Sequence, residues 1–546
     1  MRELLEKVLK PARYIGNELN SIHKDWEKTS LKIAFAYPDT YEVGMSNLGL
    51  QILYHIINQQ EDALAERVFA PWPDMEQQLQ TSNLKLQSLE SFKPLNEFDL
   101  VGFSLGHELT YTNLLTMLKL GGIPLRSSER GEKDPLILGG GPCAFNPEPV
   151  ADFFDFFVIG EAEEVIIEIV DALRKTRNET RFAKLKTLAA IPGVYVPGVS
   201  KTVTKRYIKN LDLSPYPLSP IVPFIEAIHD RAVLEIMRGC KWGCKFCQAG
   251  WTGRPVREKK METLLQQADE LVKNTGYEEL SLISLSSSDY SRIDELAKTL
   301  AQKYEKQRIN LSLPSMRTNT FSVKLAKEIA RVRPSGVTLA PEAGTQRLRD
   351  VIGKNMTEEH ILEGVKSAFE EGIESIKLYF MLGLPTETEA DLIGICELSS
   401  KIFELGRTFT GRARAVVNLA TFIPKPHTPF EREKQISIEE TFEKQRFIKI
   451  NLKKKRGIEV RWHQAEASFL EGVFARGDRK LSKVIEKAWE LGARFDAWSE
   501  HFKFDIWQKA FAECGIDPNE YLRARDEKEA LPWDYVTLNS PHPSDH

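Results

Sequence analysis

Apolar runs alternate with amphipathic segments along the first third of the chain. The apolar runs have the length of buried strands, and the segments between them repeat with the period of a helix. This alternation predicts a doubly wound, flavodoxin-like parallel sheet (an α/β fold) over residues 31–200, preceded by a helical lead-in over 1–30. The predicted strands are LKIAFAYP (31–38), AERVFAP (65–71), FDLVGFSL (98–105), PLILGGG (135–141) and FFVIG (156–160).

A second strand–helix repeat follows a proline-rich stretch over 201–228, which predicts an extended linker. Six predicted parallel strands are fewer than the eight of a closed barrel. We therefore expect an open, partial six-stranded (β/α) barrel over 229–430, with its active site at the carboxyl ends of the strands. Residues 431–546 are predicted to form a helical C-terminal region. The six strands are AVLEIMRG (232–239), ELSLISL (279–285), INLSLPS (309–315), GVTLAPE (336–342), SIKLYFM (375–381) and AVVNLATF (415–422).

Three cysteines lie close together where the first barrel strand ends. Cys240, Cys244 and Cys247 form a C-x₃-C-x₂-C array, and the whole chain has only six cysteines. Three thiolates can hold three irons of a cubane cluster and leave the fourth iron open, which favours catalysis over structural support. A structural zinc site normally has four protein ligands, and no Cys or His pair nearby completes one.

Composition narrows the class of protein. The chain has 546 residues, 42% hydrophobic and 28% charged, which is typical of a globular protein of several domains. A net charge of −4 argues against bulk binding to nucleic acid. The basic run Lys453–Arg456 leaves a local contact with RNA or a phosphate open. No apolar run reaches 18 residues, and the acidic start lacks a signal core, so a cytoplasmic protein without membrane association is expected.

The cysteine spacing, with Phe246 just before the third cysteine, resembles the radical S-adenosylmethionine (SAM) superfamily. Phrases such as PDTYEVGMSNLGLQILYHIIN, FIPKPHTPF and GARFDAW are similar to a family within it that carries a cobalamin-binding domain and has no known substrate. The resemblance implies that Cys240, Cys244 and Cys247 are the catalytic residues and that they are the metal ligands of a [4Fe-4S] cluster. It also implies that SAM is bound at the open iron and cleaved reductively, with electrons from a donor such as flavodoxin or ferredoxin.

Residues at the barrel strand ends are the candidate SAM contacts that follow from this resemblance. The turn Gly383–Thr388 is similar to a G-L-P-G-E-T turn found at this place across the superfamily. Taken singly each assignment is weak, because strand-to-helix turns favour Gly, Pro, Ser and Asp, and Ser288 or Asp289 also suits a helix N-cap. The candidates, besides Phe246, are Ser286, Ser287, Ser288, Arg317, Glu342, Gly383, Pro385 and Asn418.

Strand ends in the first sheet resemble a cobalamin-binding domain. That domain carries a D-x-H-x-x-G motif whose histidine ligates cobalt, and here Tyr41 takes the place of that histidine. A phenol is a poor substitute for imidazole as a cobalt ligand. Two interpretations stay open: cobalamin bound without a protein ligand, or a fold that has lost the cofactor. The candidate cobalamin contacts are Asp39, Gly44, Ser104, Gly139 and Gly140.

Two alternatives to a radical enzyme of unidentified substrate remain. One is an iron–sulfur protein that only transfers electrons or senses oxygen. The other is a methylthiotransferase-like enzyme that modifies RNA or protein. Methylthiotransferases carry three further N-terminal cysteines for a second cluster, whereas residues 1–228 contain Cys143 alone.

Overall fold

The computed structural model describes residues 2–314 and 337–538, which form two compact units. The first unit comprises residues up to 230 together with 473–521 and 530–538, and the second comprises 231–314, 337–472 and 522–529. The helical region expected over 431–546 is therefore divided between the units, because residues 473–521 pack with the N-terminal sheet. Of the helices in the described ranges, none combines the length and apolar character needed to cross a bilayer.

The first unit is built on a six-stranded sheet. Its strand order is β2-β1-β3-β4-β5-β6; β1 to β5 are parallel and β6 runs antiparallel to β5. This confirms the predicted flavodoxin-like order, whose chain reversal lies between β1 and β3. The strands are β1 (Leu31–Tyr37), β2 (Ala63–Phe69), β3 (Leu100–Ser104), β4 (Leu136–Gly140), β5 (Phe156–Val158), β6 (Val194–Tyr195) and β7 (Val203–Thr204).

Helices pack on both faces of this sheet, with their apolar sides against the buried side chains of the strands. In β1, Ile33 and Ala34 are fully buried, as expected for a strand covered on both faces. Helix α3 contributes Ile56 and Ile57 to the core and ends at the next residue, Asn58, which is also buried. The helices are α1 (Arg2–Leu5), α2 (Tyr41–Gly44), α3 (Leu48–Asn58), α4 (Pro73–Thr81), α5 (Tyr111–Gly121), α6 (Val165–Lys175) and α7 (Arg181–Ala189).

The second unit contains two parallel sheets, ordered β12-β11-β8 and β13-β14-β15-β16, and a short antiparallel pair, β9 and β10. All six predicted barrel strands are present, and β16 adds a seventh. The strands are β8 (Ala232–Glu235), β9 (Met237–Arg238), β10 (Arg257–Glu258), β11 (Glu279–Ile283), β12 (Asn310–Ser312), β13 (Val337–Glu342), β14 (Ser375–Leu382), β15 (Arg414–Thr421) and β16 (Ile458–Trp462).

The four-stranded sheet has one apolar face and one polar face. Ile376, Leu378, Phe380 and Leu382 of β14 are buried in the core shared with the helices. The alternate residues point the other way, because side chains alternate along a strand. The helices of this unit are α8 (Gln248–Thr252), α9 (Met261–Thr275), α10 (Ile293–Tyr304), α11 (Gln346–Val351), α12 (Glu358–Glu370), α13 (Glu389–Phe409) and α14 (Ile438–Leu452).

After α15 (Ala465–Ala475) the chain returns to the first unit. Helices α16 (Leu481–Glu490) and α17 (Phe504–Cys514) belong there, α18 (Asn519–Leu522) follows, and β17 (Val536–Thr537) pairs with β7. Asn146, which follows β4, donates hydrogen bonds to the carbonyls of Ala475 and Gly477 at 2.9 and 3.0 Å. We call residues 473–521 the returning segment.

Candidate active site

The three cysteines lie on a loop whose two ends are tied together. Strands β9 and β10 pair through Arg238 with Arg257 and through Met237 with Glu258. Gly239 starts the loop with φ +84°, and a Cβ there would lie 2.6 Å from the carbonyl oxygen of Pro255. Only glycine tolerates both conditions, so the geometry of the loop is fixed where it begins.

Hydrogen bonds fix the interior of the loop. None of the six cysteines, all of which lie in the described ranges, forms a disulfide. The backbone N–H of Gly250 donates to Sγ of Cys247 at 3.3 Å, and the Trp251 indole donates to the carbonyl of Cys244 at 3.0 Å. N–H···S bonds of this kind tune the sulfur ligands of iron–sulfur clusters.

The thiols share one electrostatic environment. Burial raises the pKa of the Cys247 thiol, the neighbouring Cys244 and Cys240 raise it further, and Lys354 lowers it. Arg254, which interacts electrostatically with Cys240, lies over the Trp251 ring with its Cζ 4.0 Å from the ring centroid. Two cations therefore lie beside three clustered thiols, and positive charge stabilises thiolates.

These residues fit the iron–sulfur cluster that the sequence predicts. Three thiolates on one fixed loop can serve as the cluster ligands, the N–H donor to sulfur would tune them, and the two cations would stabilise their negative charge. The sequence identified Cys240, Cys244 and Cys247, but it gave no sign of Lys354 or Arg254.

The serine-rich end of β11 holds the cysteine loop. Ser286 and Ser287 are buried, and the Ser286 hydroxyl donates to the Asp289 carboxylate at 2.5 Å. The same carboxylate accepts from the Trp242 indole at 2.5 Å and lies 3.2 Å from Nζ of Lys241. Asp289 therefore binds two side chains of the cysteine loop. Ser288 is buried beside it in the same turn.

Glu342 ends β13 in a left-handed conformation, with φ +67°. Its carboxylate lies 3.2 Å from Nζ of Lys354, and that ammonium lies 6.0 Å from the centroid of the Phe246 ring. Because Lys354 also acts on the Cys247 thiol, the structure places Glu342 beside Phe246 and Cys247 of the cysteine loop. A ribose or amino contact from Glu342 stays a prediction.

The turn after β14 packs against the same region. Leu384 shares an apolar cluster with Phe246 and Phe430, which places Gly383 and Pro385 near the cysteine loop. The Gly383 N–H donates to the Glu387 carboxylate at 3.1 Å, and Lys444 lies 2.7 Å from that carboxylate. Burial raises the pKa of Glu387, although Lys444 opposes the shift.

Asn418 lies within a strand, on the polar face of the four-stranded sheet, and does not belong to the strand-end turns described above. It is in register with Tyr379 on β14 and Arg461 on β16. Its amide donates only long bonds, 3.4 and 3.5 Å, to strand carbonyls. Arg317, another candidate SAM contact, lies outside the described residues.

In the first unit, Tyr41 does not occupy a position from which it could ligate a cobalt ion. Its side chain is buried and packs on Phe69, and its hydroxyl donates to Glu18 at 2.9 Å. Glu18 also pairs with the buried Arg67 at 2.7 Å, and Arg67 pairs with Glu90 at 2.6 Å. Burial, followed by the charge of Glu18, raises the pKa of the phenol. The Tyr41 hydroxyl is therefore committed to a buried ionic network.

Two of the glycines predicted to contact cobalamin are explained by packing. A Cβ on Gly44 would lie 2.2 Å from the Phe69 ring, and one on Gly139 would lie 2.6 Å from the Phe157 ring. Ser104 and Gly140 face each other across β3 and β4 and are only partly buried.

The returning segment occupies the carboxyl edge of this sheet. The Trp498 indole donates to Asp39 at 2.9 Å, and the Phe495 N–H donates to the Asn113 side chain at 2.8 Å. Asp39 is buried, and burial raises its pKa. Ligands of doubly wound sheets bind at this edge. With Tyr41 and Asp39 engaged by the protein itself, these residues do not fit a corrinoid.

The fold and the cysteine loop define an α/β protein whose partial barrel carries three clustered thiols on one fixed loop. Family models agree with this description: residues 49–197 match "Radical SAM proteins, N-terminal" and residues 234–399 match "Radical SAM superfamily". The chain belongs to the radical SAM superfamily and is an enzyme of that class.

Relatives extend the similarity along the chain. The uncharacterized protein MJ0966 of Methanocaldococcus jannaschii is 29% identical over 493 residues, 90% of this chain and 98% of its own length. A Pyrococcus horikoshii protein, uncharacterized methyltransferase PH0819, is 24% identical over 275 residues, 49% of this chain and 58% of its own. The tRNA-2-methylthio-N(6)-dimethylallyladenosine synthase of Thermotoga petrophila is 27% identical over 249 residues, 43% of this chain and 52% of its own.

Solved structures share the fold. The radical SAM methyltransferase TsrM from Kitasatospora setae, solved with cobalamin and a [4Fe-4S] cluster, superposes with a TM-score of 0.52 at 14% identity, covering 74% of this chain and 77% of TsrM. The cobalamin-dependent radical SAM enzyme OxsB in its apo form gives 0.52 at 12% identity, covering 91% and 82%.

Proposed function

We propose that the chain binds a [4Fe-4S] cluster through Cys240, Cys244 and Cys247 and uses it to cleave SAM reductively, so as to modify a substrate still to be identified. The observation that supports this proposal most directly is the fixed loop with its three clustered thiols. In this superfamily the cluster supplies the electron that breaks a carbon–sulfur bond of SAM.

The protein's own groups would set the properties of the site. Lys354 and Arg254 offset the negative charge of the thiolates, and the Gly250 N–H orients Cys247. Trp242 and Lys241, both bound by Asp289, hold the loop against the end of β11. The aromatic Phe246 and the backbone of the Gly383 turn would line the space for the cofactor.

The two alternatives have less support. Methylthiolation with a second cluster would need more thiols than Cys143, the single cysteine of residues 1–228. A cluster that only transfers electrons would not need the strand-end turns that gather around the cysteine loop.

Cys244→Ala is expected to abolish the cluster absorbance and the release of 5′-deoxyadenosine together, since a cubane held by two thiolates lacks a third ligand. The matched control is Cys514→Ser, which alters a cysteine outside the site. The measurement is anaerobic reconstitution, reduction, addition of SAM and chromatographic analysis. If the wild-type protein with an intact cluster forms neither 5′-deoxyadenosine nor S-adenosylhomocysteine, the proposed catalysis is wrong.

A further inference from the structure

Helix α14 and strand β16 carry a concentration of positive charge that the reaction at the cysteine loop does not use. Residues 438–462, which comprise α14, β16 and the turn between them, contain eight lysines and arginines and four glutamates, a net charge of +4 in a chain whose total is −4. Among the described residues, Arg446, Lys453, Lys454 and Arg456 have no ion-pair partner; Lys455 pairs with Glu404 and Arg461 with Glu459.

The charges are arranged on one face of the helix. Thr441, Gln445, Ile448 and Leu452 form its buried face. The exposed face carries Phe442, Arg446 and Lys449 at helical spacing, and Lys453 continues the row as the C-cap. Eleven residues of helix cover about 16 Å, enough for several phosphates of an extended strand. We call this row, together with Trp462, the basic stripe.

Exposed aromatic rings lie within this charge. Phe442 is 45% exposed, and Trp462, on β16, is 38% exposed. Nζ of Lys449 lies 4.7 Å from the centroid of the Trp462 ring, so the helix and the strand form one continuous surface. Charge alone would serve solubility, whereas exposed rings beside unpaired cations are what single-stranded nucleic acid requires, phosphate contacts together with stacking platforms for bases.

We propose that the basic stripe binds single-stranded nucleic acid. Nucleic acid is the ligand that complements both the positive charge and the exposed rings between the cations. An acidic protein would be attracted by the charge but would gain little from flat aromatic rings. This proposal concerns binding and does not depend on the chemistry at the cysteine loop, because it can be measured without SAM.

The test is fluorescence anisotropy with the full, cluster-reconstituted chain. The probes are a labelled, unstructured RNA of about 12 nucleotides and DNA of the same sequence, within the site sizes of such surfaces. Binding of either probe supports the stripe, and tighter binding of RNA identifies the 2′-hydroxyl as the distinguishing group. Failure of the wild-type chain to bind either probe at low salt would overturn the proposal.

Charge reversal tests whether the bound nucleic acid lies along the basic stripe. Lys449→Glu with Lys453→Glu should weaken binding at least about tenfold and reduce the slope of log K against log salt by about 1.4, the value for two phosphate contacts. The matched control is Lys298→Glu with Lys306→Glu, the same change of charge at exposed lysines of another surface. Equal losses in both pairs would show non-specific attraction and refute the stripe.

Stacking is tested separately with Trp462→Ala, which keeps the net charge. It should weaken binding by about tenfold while leaving the salt slope unchanged. Far-UV circular dichroism checks that each variant is folded. If polyglutamate displaces the labelled RNA as effectively as unlabelled RNA does, the surface recognises acidic polymers in general, and the nucleic-acid proposal is wrong.

Discussion

Three residues near strand ends in the second unit have a positive φ, a backbone conformation that is usually found for glycine. Glu342, Thr386 and His427 have φ values of +67°, +66° and +61°, and each lies at or just beyond the end of one of three successive strands. Such residues cost about 1–3 kcal/mol each and concentrate at functional sites. Their position around one end of the sheet agrees with an active site there.

Thr386→Gly is expected to stabilise the second unit. The relieved strain of about 1–3 kcal/mol exceeds the entropy that glycine loses on folding, about 0.5–1 kcal/mol. The hydrogen bond that the Thr386 hydroxyl accepts from Arg347 at 3.1 Å is exposed and offsets little. The measurement is the melting temperature by calorimetry.

The control is the same substitution two residues later. Thr388 has φ −122° and caps α13, donating from its N–H and hydroxyl to Asp391 at 2.8 Å. Thr388→Gly should lower stability by roughly a few tenths of a kcal/mol. Shifts of the same sign in both variants would show that strain at Thr386 is not the cause.

At the scale of elements, strand and helix positions followed from periodicity, but their partners did not. Strand β16 was missed because IEVRW is short, partly exposed and preceded by four basic residues. Helices α16 and α17 lie within the region predicted to be helical, but their return to the first sheet depends on contacts such as that between Asp496 and Thr112, 384 residues apart. No local pattern encodes such a contact.

Asp496 anchors the returning segment and should make its docking depend on pH. Its carboxylate accepts from the Trp507 indole at 2.9 Å and the Thr112 hydroxyl at 2.7 Å. Burial raises its pKa, although both hydrogen bonds oppose the shift. Folding therefore favours the protonated form, and the stabilisation is complete below the unfolded pKa of about 3.9 and is lost as pH rises through the folded pKa.

Asp496→Asn keeps the shape and does not titrate. The melting temperature of the wild type relative to this variant should therefore fall from about pH 4 towards pH 7 and then level off. Calorimetry over this range provides the measurement. A difference that stays constant or rises with pH would contradict the raised pKa. Glu500→Gln, an exposed change in the same segment, is the control.

At the scale of the molecule, the fold class was predictable because the hydrophobic pattern shows two successive series of alternating strands and helices. The grouping of Cys240, Cys244 and Cys247 on one loop was predictable because the three residues lie within eight positions of one another. Lys354 was not, since a single lysine 107 residues after Cys247 has no pattern of its own. The cobalamin question needed the structure, because only packing shows that Tyr41 and Asp39 are already engaged.

The full chain, produced with cobalamin supplied, is expected to purify without corrinoid absorbance while retaining iron and sulfide. The returning segment occupies the edge of the sheet, and Tyr41 is bound to Glu18. Absorbance spectra with iron and cobalt analysis provide the measurement. Purification of the chain with one corrinoid per molecule would contradict the conclusion that the residues of the first unit do not fit this cofactor.

The loop between β9 and β10 has a consequence for how the enzyme matures. Its ladder, its indole–carbonyl bond and the bond from the Lys245 N–H to the Ile352 carbonyl at 2.9 Å join protein groups to one another. If the three thiols hold a cluster as proposed, a loop fixed by these bonds loses little conformational freedom when iron binds. The proposed function therefore predicts that the cluster can be restored to the folded chain by iron and sulfide, without unfolding it.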